Sequence, residues 1–248
     1  TFEHRLSERT NLGIGIDYST VRYDAAQGVQ TKTDYDFGEA STYLKWALNP
    51  VSDISAGAYV SRYDARDNSE TIDAIGAQVG YAYRWSTQVG FEGRLFYEEN
   101  DMQQFIPFDL SETTSNFGGY LTAYRKQEVS EWRFSIGRSF NPTGDGGKSE
   151  VDQFRLQYER DISQRLSFRG AARYETRNGL GSQGAGVDRD FARLDLSLKW
   201  MLTRNWYLGG GYAYMWEDRA AATETGDNNK FFVNFGYQGL KTETPGRL

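Results

Sequence analysis

The stretch Ala192-Arg193-Leu194-Asp195-Leu196-Ser197-Leu198-Lys199-Trp200 decides the fold. An extended strand turns successive side chains to opposite faces. Ala192, Leu194, Leu196, Leu198 and Trp200 therefore share one face, and Arg193, Asp195, Ser197 and Lys199 the other. The same period of two recurs along the chain. Phe154, Leu156 and Tyr158 alternate with Arg155 and Gln157. Leu166, Phe168, Gly170, Ala172 and Tyr174 alternate with Ser167, Arg169, Ala171 and Arg173. Ile75 to Trp85, Val89 to Tyr97 and Phe231 to Tyr237 repeat it.

Short turns separate these runs at 7–9, 49–53, 86–88, 127–131, 161–164 and 203–205, about 34 to 44 residues apart. Longer polar stretches near 24–33, 65–71, 99–114, 141–149, 177–189 and 218–229 fall between them. Short and long connections alternate strictly, so one end of the molecule carries the turns and the other the loops. Transmembrane barrels have this asymmetry. The expectation is an all-β, antiparallel, up-and-down transmembrane β-barrel, with one barrel domain over 1–240. It has twelve strands from about Arg9 to Leu240, or fourteen if 1–7 is a strand with a further one upstream. Residues 241–248 lose the alternation and read as a disordered tail.

Composition agrees with that reading. The mean hydropathy of -0.69 contains no membrane helix, but alternating strands average to hydrophilic. The 17 Tyr, 15 Phe and 6 Trp suit pleated surfaces, and only 4 Pro interrupt ladders. The absence of cysteine excludes a disulfide framework and thiolate metal sites. A net charge of -6 argues against a nucleic-acid partner.

Orientation follows from strand length, strand number and tryptophan placement. The runs reach the 9 to 11 residues that a tilted membrane strand needs, against about 5 to 6 in soluble sheets. A twelve-stranded barrel is also too wide to fill with its own apolar side chains. Trp46, Trp85, Trp132, Trp200 and Trp206 flank the short turns. Trp216, with Tyr18, Tyr63, Tyr97 and Tyr174, lies toward the loops. Indoles and phenols prefer the headgroup level, so these positions read as two aromatic girdles. The apolar face then meets lipid, in a bacterial outer membrane.

The phrases His4-Arg5-Leu6-Ser7-Glu8-Arg9-Thr10-Asn11-Leu12, Tyr158 to Leu166 and Leu198 to Leu208 resemble the "strand, Leu-Ser-x-Arg, strand" hairpins of β-barrel porins associated with exopolysaccharide export in Gram-negative bacteria. The resemblance implies an outer-membrane location and a polysaccharide-related passage. It carries over no functional residue.

Strand phase puts Lys45, Arg84, Arg94, Arg133, Arg155, Arg165, Arg169, Arg173, Arg193 and Lys199 on the polar face. Asp17, Glu39, Glu92, Glu98, Glu159, Glu175 and Asp195 share it, which makes a mildly basic lumen. Arg133, Arg155, Arg165, Arg169, Arg173 and Arg193 form an arc on successive strands. Guanidinium forks bind carboxylates and phosphates, so the arc reads as a selectivity wall for anionic solutes. The preferred reading is an ion-pair lattice with Glu159, Glu175 and Asp195 that braces the wall, and the two can hold together. Tyr43, Tyr59 and Tyr207 also face the lumen, as space fillers or as stacking surfaces for a glycan. No cofactor is implied. The one histidine, His4, has no serine neighbour of the kind a dyad hydrolase needs, and no enzyme chemistry is expected. Gly209-Gly210-Gly211 has no helix after it and is not a phosphate loop; the loop Thr143 to Gly147 lacks the spaced acids of a calcium loop.

The expected function is an outer-membrane channel or porin for polar, anionic or saccharide solutes. The alternative is a plugged barrel that anchors a secretion or export complex. Lipid, a small polar solute or glycan, and a periplasmic export partner are the expected partners.

Overall fold

A computed structural model describes residues 1–22, 34–66, 70–104, 110–142, 148–179, 188–219 and 225–238. The tail 241–248 and the loop Thr143 to Gly147 lie outside them. The described residues form one antiparallel sheet of thirteen strands in simple chain order. They are β1 (Phe2–Arg5), β2 (Thr10–Val21), β3 (Tyr35–Asn49), β4 (Ser52–Ala65), β5 (Glu70–Arg84), β6 (Val89–Gln104) and β7 (Leu110–Lys126). Then follow β8 (Ser130–Pro142), β9 (Lys148–Asp161), β10 (Leu166–Gly179), β11 (Arg189–Met201), β12 (Trp206–Arg219) and β13 (Gly226–Tyr237). The candidate at 1–7 is strand β1, which gives thirteen strands where twelve or fourteen were expected. Among the described residues β1 and β13 are not paired with each other, so the closure of the wall that the sequence suggested is not seen there.

The turns show why the hairpin phrases recur. Ser86 Oγ accepts from the backbone N–H of Gln88 and of Val89, each at 3.1 Å. Ser163 Oγ accepts from Arg165 at 3.3 Å and Leu166 at 3.1 Å. Thr203 Oγ1 accepts from Asn205 at 3.3 Å and Trp206 at 3.1 Å. Ser7 Oγ accepts from Arg9 at 3.2 Å. A hydroxyl at the first turn position satisfies amides that the tight reversal leaves free. At the other end, strands run well into the stretches read as loops. β6 continues to Gln104 and β7 starts at Leu110, so much of 99–114 is ladder.

One face is apolar and exposed. Ile16 is 76% exposed, Ile75 63% and Val233 79%. The other face is polar and concave. On it, side chains two strands apart meet, although strands lie about 4.8 Å from their neighbours. Tyr59 on β4 donates to Glu98 Oε2 on β6 at 2.9 Å. Tyr43 on β3 donates to Glu3 on β1. Ring contacts on the apolar face join adjacent strands, as in Trp132–Tyr158 and Trp206–Phe235. The sheet therefore curls with its polar face inward.

Candidate functional site: the concave wall

Pairing register places the charged residues. Arg155, Arg173 and Arg193 stand directly opposite one another on β9, β10 and β11. Like charges paired in this way repel. Each side chain relieves the repulsion differently. Arg193 turns along its own strand to Asp195, with Nε and Nη2 donating at 2.7 and 2.8 Å. Arg173 turns to Glu175. Arg155 has no carboxylate in salt-bridge range among the described residues, which leaves it the most available of the row.

A second basic row lies two inward-facing positions toward the loops, with Arg177, Arg189 and Arg219 in register. Glu175 sits between the rows with its side chain 2% exposed, and takes Arg173, Arg177 at 3.3 Å and Arg189 at 3.5 Å. Glu217 takes Arg189 at 3.5 Å and Arg219 at 2.5 Å. Toward the turns, Arg169 Nε is 2.8 Å from Glu159. Arg133 pairs with Glu131 at 3.3 Å. Lys199 lies over the Tyr207 ring, 4.5 Å from its centroid, and donates to Gln238 at 2.9 Å. Arg165 occupies the turn before β10 rather than a strand.

The β1–β7 part of the wall is acidic by contrast. Glu3, Asp17, Glu39, Asp53, Glu92 and Glu98 face it, balanced in part by Lys45, Arg84 and Arg94. Asp53 is held by Arg84 at 2.7 Å and Lys45 at 3.5 Å. Arg94 donates to Gln78 at 3.1 Å and lies over Tyr120. Glu92 lines a cavity with Tyr43, Lys45, Asp53 and Arg94. The two halves of the wall thus carry opposite charge, a polarity invisible to a residue count.

Glycine spacing shapes the passage. Tyr43 lies over Gly13, Tyr59 over Gly76 and Tyr207 over Gly236, each the directly paired residue on the next strand. A Cβ on Gly236 would come 2.5 Å from the Tyr207 hydroxyl. These rings lie flat along the wall only because the partner has no side chain. Gly209 and Gly211 belong to the same scheme, facing Asn234 and Phe232. A cavity of about 400 Å³ results on β9–β13, lined among others by Ser167, Arg169, Lys199, Tyr207, Phe232 and Asn234.

At the loop end the β8–β9 hairpin parts from β7. The β7–β8 ladder stops at Gly119↔Arg138, while β8–β9 continues to Pro142↔Lys148. A Cβ on Gly118 would come 2.9 Å from the Arg138 carbonyl oxygen. Gly118 thus lets the β8 backbone cross onto the concave side of β7. Phe140 then reaches Phe96 on β6, with ring centroids 6.0 Å apart. Lys148 reaches Glu98 at 3.1 Å and Asn100 at 2.5 Å. Beside this hairpin, Tyr63, Ala65, Ile72 and Met102 form a buried apolar cluster on the concave face. Tyr63 was expected in the loop-side girdle; it is fully buried on the inner face, because its odd position on β4 shares the phase of Asp53 and Tyr59. Lys148 fell within a loop in the sequence reading, and no local pattern marked it.

All six tryptophans share the apolar phase. Trp46, Trp85, Trp132, Trp200 and Trp206 are exposed at the turn end, and Trp216 is half-buried at the loop end. His4 lies on the same outer face, stacked on Phe2.

No family model matches the sequence, and no curated protein does. Solved structures do. The copper transporter OprC aligns with a TM-score of 0.61 at 9% identity, over 87% of this chain and 46% of that one. The ferric yersiniabactin uptake receptor FyuA of Yersinia pestis gives 0.56 at 10%, over 90% and 42%. The ferric enterobactin receptor PfeA of Pseudomonas aeruginosa gives 0.50 at 11%, over 86% and 40%. The chain spans less than half the length of each of these proteins. At such identities the likeness concerns fold alone. The chain has the fold of the outer-membrane β-barrels.

Proposed function

We propose that the concave wall lines a passage for polar, anionic solutes across the outer membrane. The observation that carries this reading is the in-register row Arg155, Arg173 and Arg193. A bracing lattice alone gains nothing from three guanidiniums facing one another, whereas a passing carboxylate or phosphate gains a bidentate donor at each. The flat rings of Tyr207 and Phe232 beside Lys199 and Arg169 support acidic saccharides as one such solute. Purified protein in planar bilayers is expected to conduct in steps, with a reversal potential favouring anions under a salt gradient. A silent bilayer rejects the proposal.

The inward hairpin and the buried cluster around Tyr63, Ile72 and Met102 favour a second reading, a plugged barrel that anchors an export assembly. Stable co-purification of a periplasmic partner with a non-conducting protein selects it.

A further inference from the structure

The split between β7 and β8 leaves two facing edges unused. β7 stays laddered to β6 as far as Gln104↔Leu110, but to β8 only as far as Gly119↔Arg138. Above that rung the β8-facing edge of β7, from Leu110 to Gly118, has no ladder partner among the described residues. β8 above Arg138 is likewise paired on its β9 side alone. At the foot of the split a groove of about 660 Å³ opens, lined by Leu95, Phe117, Leu121, Ile136, Phe154 and Tyr174 of the apolar face.

Side-chain phase marks the observed position as one of two. Even-numbered residues of β8 and β9 face outward lower in the wall, where Trp132, Ile136 and Phe154 are exposed. Phe140 and Lys148 share that phase. Yet Phe140 packs on Phe96, and Lys148 on Glu98 and Asn100, all on the concave face. The hairpin has therefore laid its outward-phase side onto the inner surface of β6. Asn141, in the opposite phase, is exposed. Continued upward in its own register, the β7–β8 ladder would instead set Gly118 opposite Ser139, Phe117 opposite Phe140 and Asn116 opposite Asn141. Phe140 would then stand beside Phe117, which is 61% exposed on the apolar face. Asn116 Nδ2, buried with no hydrogen-bond partner among the described residues, would face the Asn141 amide. The added rungs would also satisfy backbone groups that the split leaves unpaired.

We propose that the β8–β9 hairpin is a two-position gate at the loop end, latched across the concave face by Lys148 and Glu98 as observed, or zipped onto the free edge of β7. The two positions exchange one set of contacts for another. Latching gains the buried ion pair and the Phe96–Phe140 contact. Zipping gains the ladder rungs, a partner for Asn116 and an outward place for Phe140. β9 stays paired with β8 to Pro142↔Lys148 and with β10 to Ser149↔Gly179, so the hairpin moves together with its neighbour. The bend falls at Gly118, Gly119 and Gly137, where a Cβ would strike the adjoining strand. That the gate controls transport rests on the passage proposed above; that the hairpin has two positions does not.

The absence of cysteine makes the test clean. Asn116→Cys with Asn141→Cys sets two thiols side by side only in the zipped position, because in the latched one residue 141 points away from the sheet. The double variant is folded in lipid vesicles and oxidised, with and without Lys148→Met. An internal disulfide is expected in both, forming several-fold faster once the latch is removed. The oxidised protein should hold a raised conductance in planar bilayers, and reductant should restore the lower level. No disulfide in either background overturns the proposal. A disulfide that forms no faster with Lys148→Met, or that fails to raise the conductance of a conducting protein, overturns it equally. Should Lys148→Met not fold, the disulfide and conductance of the double variant alone decide. A disulfide formed in a protein silent before and after reduction refutes the passage and leaves the two positions standing.

Discussion

Lys148 Nζ lies 3.1 Å from Glu98 Oε1, although the two residues stand on β9 and β6, three strands apart. Both side chains are 5% exposed. Glu98 also accepts from Tyr59 and from Asn100 Nδ2 at 3.1 Å, so its oxygens are fully engaged. The pair can exist only because the β8–β9 hairpin leaves the wall above Arg138 and crosses the concave face.

Removing one partner strands a buried charge. Lys148→Met and Glu98→Gln are each expected to cost about 3–5 kcal/mol. The double variant should cost less than the two together, since it leaves no uncompensated charge. Urea unfolding in lipid vesicles gives the cycle; strict additivity counts against a latched hairpin. Single-channel conductance should also rise in Lys148→Met, as the hairpin is released toward the wall.

Glu175 holds three guanidiniums with one buried carboxylate. Glu175→Gln is expected to lose about 3 kcal/mol of stability for the same reason. It should also make the passage more selective for anions, because Arg173, Arg177 and Arg189 lose their counter-charge. A reversal potential that moves toward cations contradicts this assignment.

Charge reversal on the basic half tests the wall directly. Arg169→Glu with Arg173→Glu should shift selectivity toward cations. Arg155→Glu alone should do so with less loss of stability, since Arg155 braces no carboxylate. Unchanged reversal potentials would remove the selectivity role and leave the ion pairs as bracing.

Gly236→Val is expected to force the Tyr207 ring off the wall and into the passage. The overpacking costs about 1–3 kcal/mol. Conductance should fall in Gly236→Val and recover in Gly236→Val with Tyr207→Ala. A conductance unaffected by the single change would show that the ring does not border the conducting path.

Facing is tested on two residues of β5. Val79, 55% exposed on the outer face, becomes costly as Val79→Arg, by about 2–4 kcal/mol at the bilayer midplane. Ala82→Arg on the inner face, where Asp53 and Glu92 stand opposite, should be nearly neutral. Equal costs in a vesicle-folding assay would refute the assigned orientation.

The sequence by itself determined the strands, their two faces and the sidedness of turns and loops. Period-two alternation and short polar turns are properties of a few consecutive residues, so Ala192 to Trp200 and Leu6 to Thr10 announce them without any neighbour. It also placed Arg155, Arg173 and Arg193 on the polar face. Their alignment in one row was decided only by register between β9, β10 and β11. Tertiary structure likewise carried Lys148 from a supposed loop to Glu98, buried Tyr63, set an acidic half-wall against a basic one, and left β1 and β13 apart. Each of these depends on which residues of distant strands come opposite one another. That is fixed by ladder hydrogen bonds and sheet curvature over the whole wall, and no local pattern contains it.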